Sequence, residues 1–189
     1  KLLRGLKYLQ STIDLVLTLE PDADYPGIHA QWWPDASFAT HADMKSHTGA
    51  VLSFGKGAVK TVSSKQKLNT RSSTEAELVG VDDVAPLAMW TKLFLEAQGY
   101  ECRTTIYQDN QSAILLEKNG KDSSTKRTRH LNIKYFYITD QVEKKHIEIL
   151  YCPTQDMLGD MPSKPLHGAL FRKHLSSMMN LDDQTTINI

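Results

Sequence analysis

The sequence predicts an α/β fold whose mixed five-stranded sheet has three antiparallel strands followed by two parallel strands, with helices on both faces. Two observations support this prediction. Three strand-like segments come first and are separated by turn residues, whereas the two later strand-like segments alternate with helix-like segments. Hairpin turns join antiparallel strands, and helical crossovers join parallel ones. With 189 residues, the chain is long enough for one domain with a core and a short appendage.

Residues 1–27 are predicted to be an N-terminal appendage. Leu2, Leu6 and Leu9 recur at helical spacing, and apolar residues then alternate through residues 13–19, which indicates a short helix leading into a strand. Two prolines and acidic residues indicate a linker immediately before residue 28. Because the chain begins with Lys1 rather than Met, we expect it to be a piece of a longer protein.

The first three strands of the sheet are predicted between residues 28 and 62. The first runs from Ile28 to the region of Asp35, and residues 49–54 and 58–62 form two more, joined by a glycine-containing turn. Pro34 lies inside the first strand. Since proline removes a backbone donor, we expect a bulge or a distortion at that point.

A long helix is predicted to follow. Ser72-Ser-Thr-Glu75 forms a capping box, and Gly99 is a suitable terminator after about Gln98. Glu75 therefore has a capping role, which leaves Glu77 free to point elsewhere. Within this helix we expect Pro86 to introduce a kink and Trp90 to pack in the core.

The fourth strand is predicted to end at Asp109-Asn110, where a helix begins that continues to about Lys118. Asp109 would then stand at the carboxyl end of a strand, which is the edge where ligands bind in open α/β sheets. The alternative is that Asp109 or Asn110 only caps the following helix. Beyond it we predict a helix at residues 131–144, a strand at 146–151, a helical stretch at 156–163, and a polar tail at 176–189.

Composition and charge limit the possible functions. Lysines and arginines equal aspartates and glutamates at 22 each, but residues 56–71 contain five basic residues and no acidic one, and residues 118–134 contain six basic residues and one acidic one. Such patches bind phosphate backbones or are ordinary solvated surface. The sequence has no apolar run long enough to span a membrane and no signal peptide, so we expect an intracellular protein.

Several cofactor classes lack their sequence motifs. There is no glycine-rich phosphate loop and no G-x-G-x-x-G pattern, which leaves a nucleotide cofactor without support. Cys102 and Cys152 provide neither a disulfide framework nor zinc-ligand spacing, and both lie in strand-like segments.

Four acidic residues are candidates for one metal centre: Asp35, Glu77, Asp109 and Asp160. Carboxylates held close together repel one another unless a cation neutralises them. Mg²⁺ prefers oxygen ligands, and two such ions about 4 Å apart stabilise phosphoryl transfer. The predicted cofactor is therefore Mg²⁺, as two ions, with Mn²⁺ as a possible substitute. The predicted chemistry is hydrolysis of a phosphodiester.

Residues 28 to about 175 resemble the ribonuclease H domain of copia-type LTR retrotransposon Pol polyproteins, and residues 1–27 resemble the tail of the preceding reverse transcriptase domain. The resemblance is carried, in the family's order, by Asp35-Ala-Ser-Phe-Ala, Asp43-Met-Lys-Ser-His-Thr-Gly49, Ser63-Ser-Lys-Gln66, Ser72-Ser-Thr-Glu-Ala-Glu77, Asp109-Asn-Gln-Ser-Ala-Ile114, Arg127-Thr-Arg-His-Leu-Asn-Ile133, and Tyr151-Cys-Pro-Thr-Gln-Asp-Met-Leu-Gly-Asp160 followed by Lys164-Pro-Leu166.

This resemblance implies an endoribonuclease of the ribonuclease H fold that cleaves the RNA strand of RNA–DNA hybrids, with the same four acids as metal ligands. It also implies a reverse transcriptase domain of the same polyprotein as a partner, and a cytoplasmic virus-like particle as the location. The alternatives are an inactive nucleic-acid-binding or connection domain, and a related nuclease acting on DNA. The residues predicted to contact nucleic acid are Lys65, Gln66, Asn69, Ser73, Asn110, Gln111, Arg129 and His130.

Overall fold

The computed structural model describes residues 2–119 and 132–182. From residue 28 onward, the five predicted strands of the sheet and the helices between them occur in the predicted order, and a 3₁₀ turn at Thr154–Asp156 precedes the last two helices. The strands are β1 (Glu20–Pro21), β2 (Ile28–Ser37), β3 (His47–Ser53), β4 (Gly55–Lys56), β5 (Lys60–Lys65), β6 (Cys102–Gln108) and β7 (Glu148–Tyr151). The helices are α1 (Leu2–Ser11), α2 (Ser73–Ala97), α3 (Gln111–Asn119), α4 (Asn132–Glu143), α5 (Asp160–Ser163) and α6 (Gly168–Met179).

The main sheet has five strands in the order β5-β3-β2-β6-β7. β2 pairs antiparallel with β3, and β3 pairs antiparallel with β5. On the other side β2 pairs parallel with β6, and β6 pairs parallel with β7. The predicted mixed sheet is therefore confirmed, including the adjacency of its first and fourth strands. β1 and β4 form a separate two-stranded ribbon.

Helices cover both faces of the sheet. Trp32 is fully buried and belongs to the same core cluster as Val81 and Val84 of α2. Its neighbour Trp33 points to the opposite face and stacks on Tyr107 with ring centroids 5.0 Å apart, as the alternation of strand side chains requires. Along the described part of the chain, no helix combines the length and apolarity needed to cross a bilayer.

The two ends of the chain differ from the sequence-based expectations. Residues 13–19 form no strand; Ile13 is 79% exposed and Leu19 is 54% exposed, so their alternation does not mark a buried face. The helix α6 was not predicted, and it continues through residue 175, where the polar tail was expected to begin. The division into three segments stays a prediction, but its second boundary falls inside a helix.

The two prolines are accommodated without breaking their elements. β2 pairs with β6 only as far as Trp32, so Pro34 lies beyond that ladder while still pairing in register with Ala50 of β3. The backbone N–H groups of residues 34 and 36 would point to the same edge of β2, because donors two residues apart in a strand share an edge. At that edge the N–H of Ala36 donates its hydrogen bond to the side chain of Glu77 in α2 and not to a neighbouring strand. The missing donor of Pro34 therefore costs no ladder hydrogen bond. In α2, Pro86 lies on the exposed side and the helix continues through it.

Trp90 corrects the expectation of core packing. It is 64% exposed and stacks on Phe94, one helical turn later, with ring centroids 5.2 Å apart. The core face of α2 is formed by smaller residues instead, among them Ala85 and Ala88.

Candidate active site

Three acidic residues converge at one edge of the sheet. Asp35 is close to the end of β2, Asp109 directly follows β6, and Glu77 lies in the first turns of α2. Because β2 and β6 are adjacent and parallel, their carboxyl ends meet at the same edge, over which the beginning of α2 passes. One carboxylate oxygen from each residue lies within 4.8 Å of the other two.

Glu77 is one of two buried members of this acid cluster, which we define as Asp35, Glu77 and Asp109. Its Oε2 accepts a hydrogen bond from the backbone N–H of Ala36 at 3.1 Å. Burial, followed by repulsion from the carboxylates of Asp35 and Asp109, raises the pKa of Glu77 to about 9. Three carboxylates that repel one another in this way form a setting in which a divalent cation binds favourably.

The fourth predicted ligand, Asp160, is connected to the cluster by a lysine. Lys164 places its Nζ 2.6 Å from Oδ1 of Asp160 and 3.0 Å from Oδ1 of Asp35. Burial raises the pKa of Asp160 to about 6, with a further contribution from Asp35 and a partial offset from Lys164. The other oxygen of Asp35, Oδ2, accepts a hydrogen bond from Ser163 Oγ. Ser163 at the end of α5 and Lys164 directly after it therefore fix the positions of the Asp35 and Asp160 carboxylates.

Sequence reasoning missed Lys164. Its signal is the four-residue spacing from Asp160, which places the two side chains one turn apart. It also belongs to the Lys164-Pro-Leu166 motif, which was used only to recognise the family. Burial opposes the charge of this ammonium group, but the adjacent Asp35 and Asp160 carboxylates outweigh that effect and raise the pKa of Lys164 above its ordinary value.

The roles of Asp109 and Asn110 are different. Asn110 caps α3, because its Oδ1 accepts hydrogen bonds from the backbone N–H groups of Ser112 and Ala113 at 3.0 and 3.2 Å. Asp109 points into the acid cluster, and its Oδ2 accepts a hydrogen bond from Thr154 Oγ1 at 2.9 Å. The sequence left open whether Asp109 joins a metal site or whether Asp109 or Asn110 only caps the helix. In the structure Asn110 is the cap, and Asp109 belongs to the acid cluster.

Glu75 has the structural role that the capping motif predicts. Ser72 Oγ accepts a hydrogen bond from the backbone N–H of Glu75 at 3.1 Å. In the return contact, Glu75 Oε2 accepts a hydrogen bond from the backbone N–H of Arg71, the residue before the cap. Glu75 is therefore committed to the start of α2, and Glu77 is the glutamate that joins the cluster.

The donor set fits a hard divalent cation. All three ligand atoms of the cluster are carboxylate oxygens, which Mg²⁺ and Mn²⁺ prefer to nitrogen or sulfur. Asp35 and Glu77 are almost entirely shielded from solvent, whereas Asp109 is partly exposed, so the site opens on one side.

The residues predicted to contact nucleic acid are found in different settings. Lys65 is exposed and pairs with Asp43 at 2.6 Å, and Asn69, which is also exposed, donates a hydrogen bond to the backbone carbonyl of Asp43 at 3.4 Å. Ser73 and Gln111 are exposed near the start of α2 and of α3 respectively.

Gln66 departs from the expectation of a surface contact, because it is 1% exposed. Its Nε2 donates hydrogen bonds to Thr48 Oγ1 at 3.0 Å and to the carbonyl of Ala76 at 2.9 Å. The side chain therefore connects β3 to α2 inside the protein. Arg129 and His130 lie outside the residues that the structure describes.

Comparisons with solved structures identify the fold as that of ribonuclease H. LC11-RNase H1, isolated from compost by a metagenomic approach, superimposes with a TM-score of 0.50 and 12% identity, over 73% of this chain and 93% of that one. The same enzyme in complex with an RNA/DNA hybrid also gives 0.50, with 11% identity over 68% and 88% of the two chains. The fold therefore defines a ribonuclease H-like domain.

Sequence comparisons then identify the family. The chain is 33% identical over 134 residues to the retrovirus-related Pol polyprotein from transposon TNT 1-94 of Nicotiana tabacum, covering 70% of this chain and 10% of that protein. It is 31% identical over 178 residues to the corresponding polyprotein from transposon RE1 of Arabidopsis thaliana, covering 93% of this chain and 12% of that protein. The chain is homologous to a segment of the Pol polyproteins of copia-type retrotransposons, and it spans about a tenth of their length. No family model matches it.

Proposed function

We propose that this domain is a metal-dependent endoribonuclease that hydrolyses the RNA strand of RNA–DNA hybrids. The observation that carries the proposal is the convergence of Asp35, Glu77 and Asp109 from three separate elements at one edge of the sheet. The homology to retrotransposon Pol polyproteins supports it. So does the likeness of the fold to an RNase H1 that has been crystallised with an RNA/DNA hybrid.

In this proposal the acid cluster and Asp160 hold two divalent cations, Mg²⁺ or, as a substitute, Mn²⁺. Bound there, the cations supply the positive charge that lowers the barrier to attack of water on a phosphodiester. The new bond joins the water oxygen to phosphorus, and the bond from phosphorus to the 3′-oxygen breaks. The products are a 5′-phosphate and a 3′-hydroxyl, and no covalent enzyme intermediate forms.

The proposed binding surface for the hybrid extends to both sides of the cluster. On one side, the edge strand β5 and the loop before α2 expose basic residues, including Lys60 and Lys67. This surface adjoins α5, because Ser63 Oγ of β5 donates a hydrogen bond to the carbonyl of Pro162 at 2.8 Å. On the other side lies Gln111 at the start of α3. In this proposal Lys65, Asn69 and Ser73 complete the first surface and contact backbone oxygens of the hybrid.

We also propose that the domain works next to a reverse transcriptase domain of the same polyprotein and removes the RNA template there. This part rests on the relatives being Pol polyproteins of retrotransposons, of which the chain spans 10% to 12%. A cytoplasmic virus-like particle is the location that such a role implies.

The test is cleavage of an end-labelled RNA–DNA hybrid with Mg²⁺, using the wild type, Asp109→Asn and Glu77→Gln. Loss of a ligand oxygen removes several kcal/mol of charge stabilisation, so we expect each variant to lose on the order of 10²-fold or more in rate. Glu75→Gln is the matched control, because this neighbouring glutamate contacts the start of the helix and is not a member of the acid cluster. It should retain most of the activity.

Two results would count against the proposal. Cleavage that is unchanged by Asp109→Asn would exclude Asp109 from the site. A wild type that binds the hybrid in a salt-sensitive way but does not cleave it with Mg²⁺ or Mn²⁺ would instead indicate an inactive nucleic-acid-binding domain. Double-stranded RNA and double-stranded DNA tested in parallel separate a hybrid-specific enzyme from a general nuclease of this fold.

A further inference from the structure

The ammonium group of Lys164 fills the gap between two predicted metal ligands. Its distances of 3.0 Å to Oδ1 of Asp35 and 2.6 Å to Oδ1 of Asp160 are those of direct ion pairs. A divalent cation coordinated by both carboxylates would need oxygen contacts of about 2.1 Å for Mg²⁺. The ammonium and a divalent ion therefore cannot occupy this gap together.

The surroundings of Lys164 differ from those of an ordinary surface pair. Lys144 forms the same four-residue ion pair with Asp140 at 2.8 Å, but both side chains are about half exposed. The side chains of Asp35 and Asp160 are only 1% and 4% exposed, whereas that of Lys164 is 34% exposed. A lysine that is partly open to solvent therefore bridges two buried carboxylates, and its long flexible side chain has a route outward.

The acid cluster and this gap share Asp35, but their other members differ. Asp35, Glu77 and Asp109 bring their oxygens within 4.8 Å of one another, and Asp160 is not part of that group. A first divalent ion could therefore bind to the cluster while Lys164 remains between Asp35 and Asp160. A second ion could not do so without breaking two ion pairs.

We propose that Lys164 is a built-in competitor for the second metal position, so that the domain binds one divalent cation tightly and a second only as Lys164 withdraws. This inference rests on the proposed metal site at Asp35, Glu77 and Asp109. In it, Lys164 is a positioning residue that holds the two carboxylates in place until the second cation arrives. The two ions of the predicted site would then bind in a fixed order, and Lys164 would set the affinity for the second ion.

The first test counts bound Mn²⁺ by electron paramagnetic resonance, in the absence of substrate. We expect the wild type to bind one Mn²⁺ tightly and a second at least tenfold more weakly. Lys164→Met, which removes the charge but keeps the length, should increase the second affinity at least tenfold and change the first by less. Lys144→Met is the matched control, because it removes a lysine of the same spacing at a surface site, and it should bind Mn²⁺ as the wild type does.

A second measurement observes Lys164 directly in the wild-type protein. In protein labelled with ¹⁵N at lysine, the ammonium resonance of Lys164 should be protected from exchange by its two ion pairs. It should persist through the first equivalent of Mg²⁺ and disappear or shift with the second. Lys164→Gln serves for the assignment and for repeating the Mn²⁺ titration if the methionine variant is unstable.

The outcomes separate this inference from the proposed function. If the wild type binds no divalent cation, or if Asp109→Asn leaves the first affinity unchanged, the metal site itself is wrong and both proposals fail. If the first ion binds as expected but removal of the Lys164 charge leaves the second affinity unchanged or weakens it, only the competitor role is overturned. Loss of the ammonium resonance with the first equivalent of Mg²⁺ would overturn it as well.

Discussion

At the scale of single residues, the most unusual group outside the candidate site is the carboxyl of Glu117 on α3. Its side chain is fully buried, and among the residues that the structure describes neither oxygen has a hydrogen-bond partner. Burial raises the pKa of Glu117 to about 8, and the nearby Lys118 offsets this only in part. The folded protein therefore keeps a proton on this carboxyl at neutral pH, where the unfolded chain releases it.

This difference in proton binding predicts the direction of a pH effect. Between the unfolded pKa of about 4.3 and the folded pKa, the native state binds more protons, so the Glu117 contribution to the free energy of unfolding falls as pH rises. Glu117→Gln should remove this loss, because the amide stays neutral. Its advantage over the wild type should grow by roughly 1.4 kcal/mol per pH unit from pH 5 towards pH 8.

Urea unfolding at pH 5, 6, 7 and 8 measures this effect, with Glu143→Gln as the control at an exposed position near the end of α4. An advantage of Glu117→Gln that does not change with pH would show that Glu117 is already ionised in the folded protein.

The sequence identified the candidate ligands better than it identified the groups around them. Asp109 and Glu77 could be chosen because a strand end and a capping box assign the roles of their neighbours from local pattern alone. Gln66 and Lys164 could not be placed in this way. Whether a polar side chain faces solvent or connects two elements depends on contacts between distant parts of the chain, such as that of Gln66 with Thr48.

At the scale of elements, the position of α5 determines the geometry of the site, because it carries Asp160 and is followed by Lys164. Gly49 of β3 lies opposite Asp35 in the antiparallel register. A Cβ atom at Gly49 would come within 2.6 Å of both the carbonyl oxygen of Gly159 and the backbone nitrogen of Ser163. The absence of a side chain at Gly49 is therefore what lets α5 pack against the sheet.

Gly49→Ala should accordingly push α5 away from the sheet. We expect a loss of about 1–3 kcal/mol in the free energy of unfolding, which is typical of overpacking, together with a loss of hybrid cleavage. Gly5→Ala is the matched control, since no atom lies within 4 Å of a Cβ there and alanine favours the helix α1. Unfolding in urea and cleavage of the hybrid are the two measurements. A Gly49→Ala variant with wild-type stability would show that α5 moves without cost.

Elements were predictable where local pattern and burial agree, as in β2 and α2. They were not predictable where an apolar pattern has no buried face. Residues 13–19 alternate like a strand but remain largely exposed, and Trp90 lies in a real helix but on its outer side. Periodicity predicts the type of an element only where one face is buried, and which face is buried depends on its neighbours in space.

At the scale of the whole molecule, the N-terminal segment is joined to the rest of the fold mainly through its second half, while Tyr8 of α1 contacts Phe171 of α6. Thr18 donates a backbone hydrogen bond to the carbonyl of Met179 at the end of α6, and Asp22 donates one to the carbonyl of Phe54. Asp22 also pairs with the buried His29 at 2.9 Å. The leucines of α1, by contrast, are 54% to 79% exposed. Residues 15–22 therefore stabilise α6 and the β1–β4 ribbon, while α1 contributes little buried surface.

Two truncations distinguish these halves. Deletion of residues 1–14 removes mainly exposed side chains and the edge-to-face contact of Tyr8 with Phe171, so we expect the melting temperature to fall by about 1–4 °C. Deletion of residues 1–22 also removes the ribbon, the two backbone hydrogen bonds and the partner of His29. At about 1 kcal/mol for each net hydrogen bond, it should cost roughly 2–4 kcal/mol, or about 5–10 °C for a chain of this size.

Asp22→Ala in the full chain isolates the His29 contact and should give about a third of that loss. Equal melting temperatures for the two truncated proteins would show that residues 15–22 are as dispensable for folding as α1, as expected of an appendage.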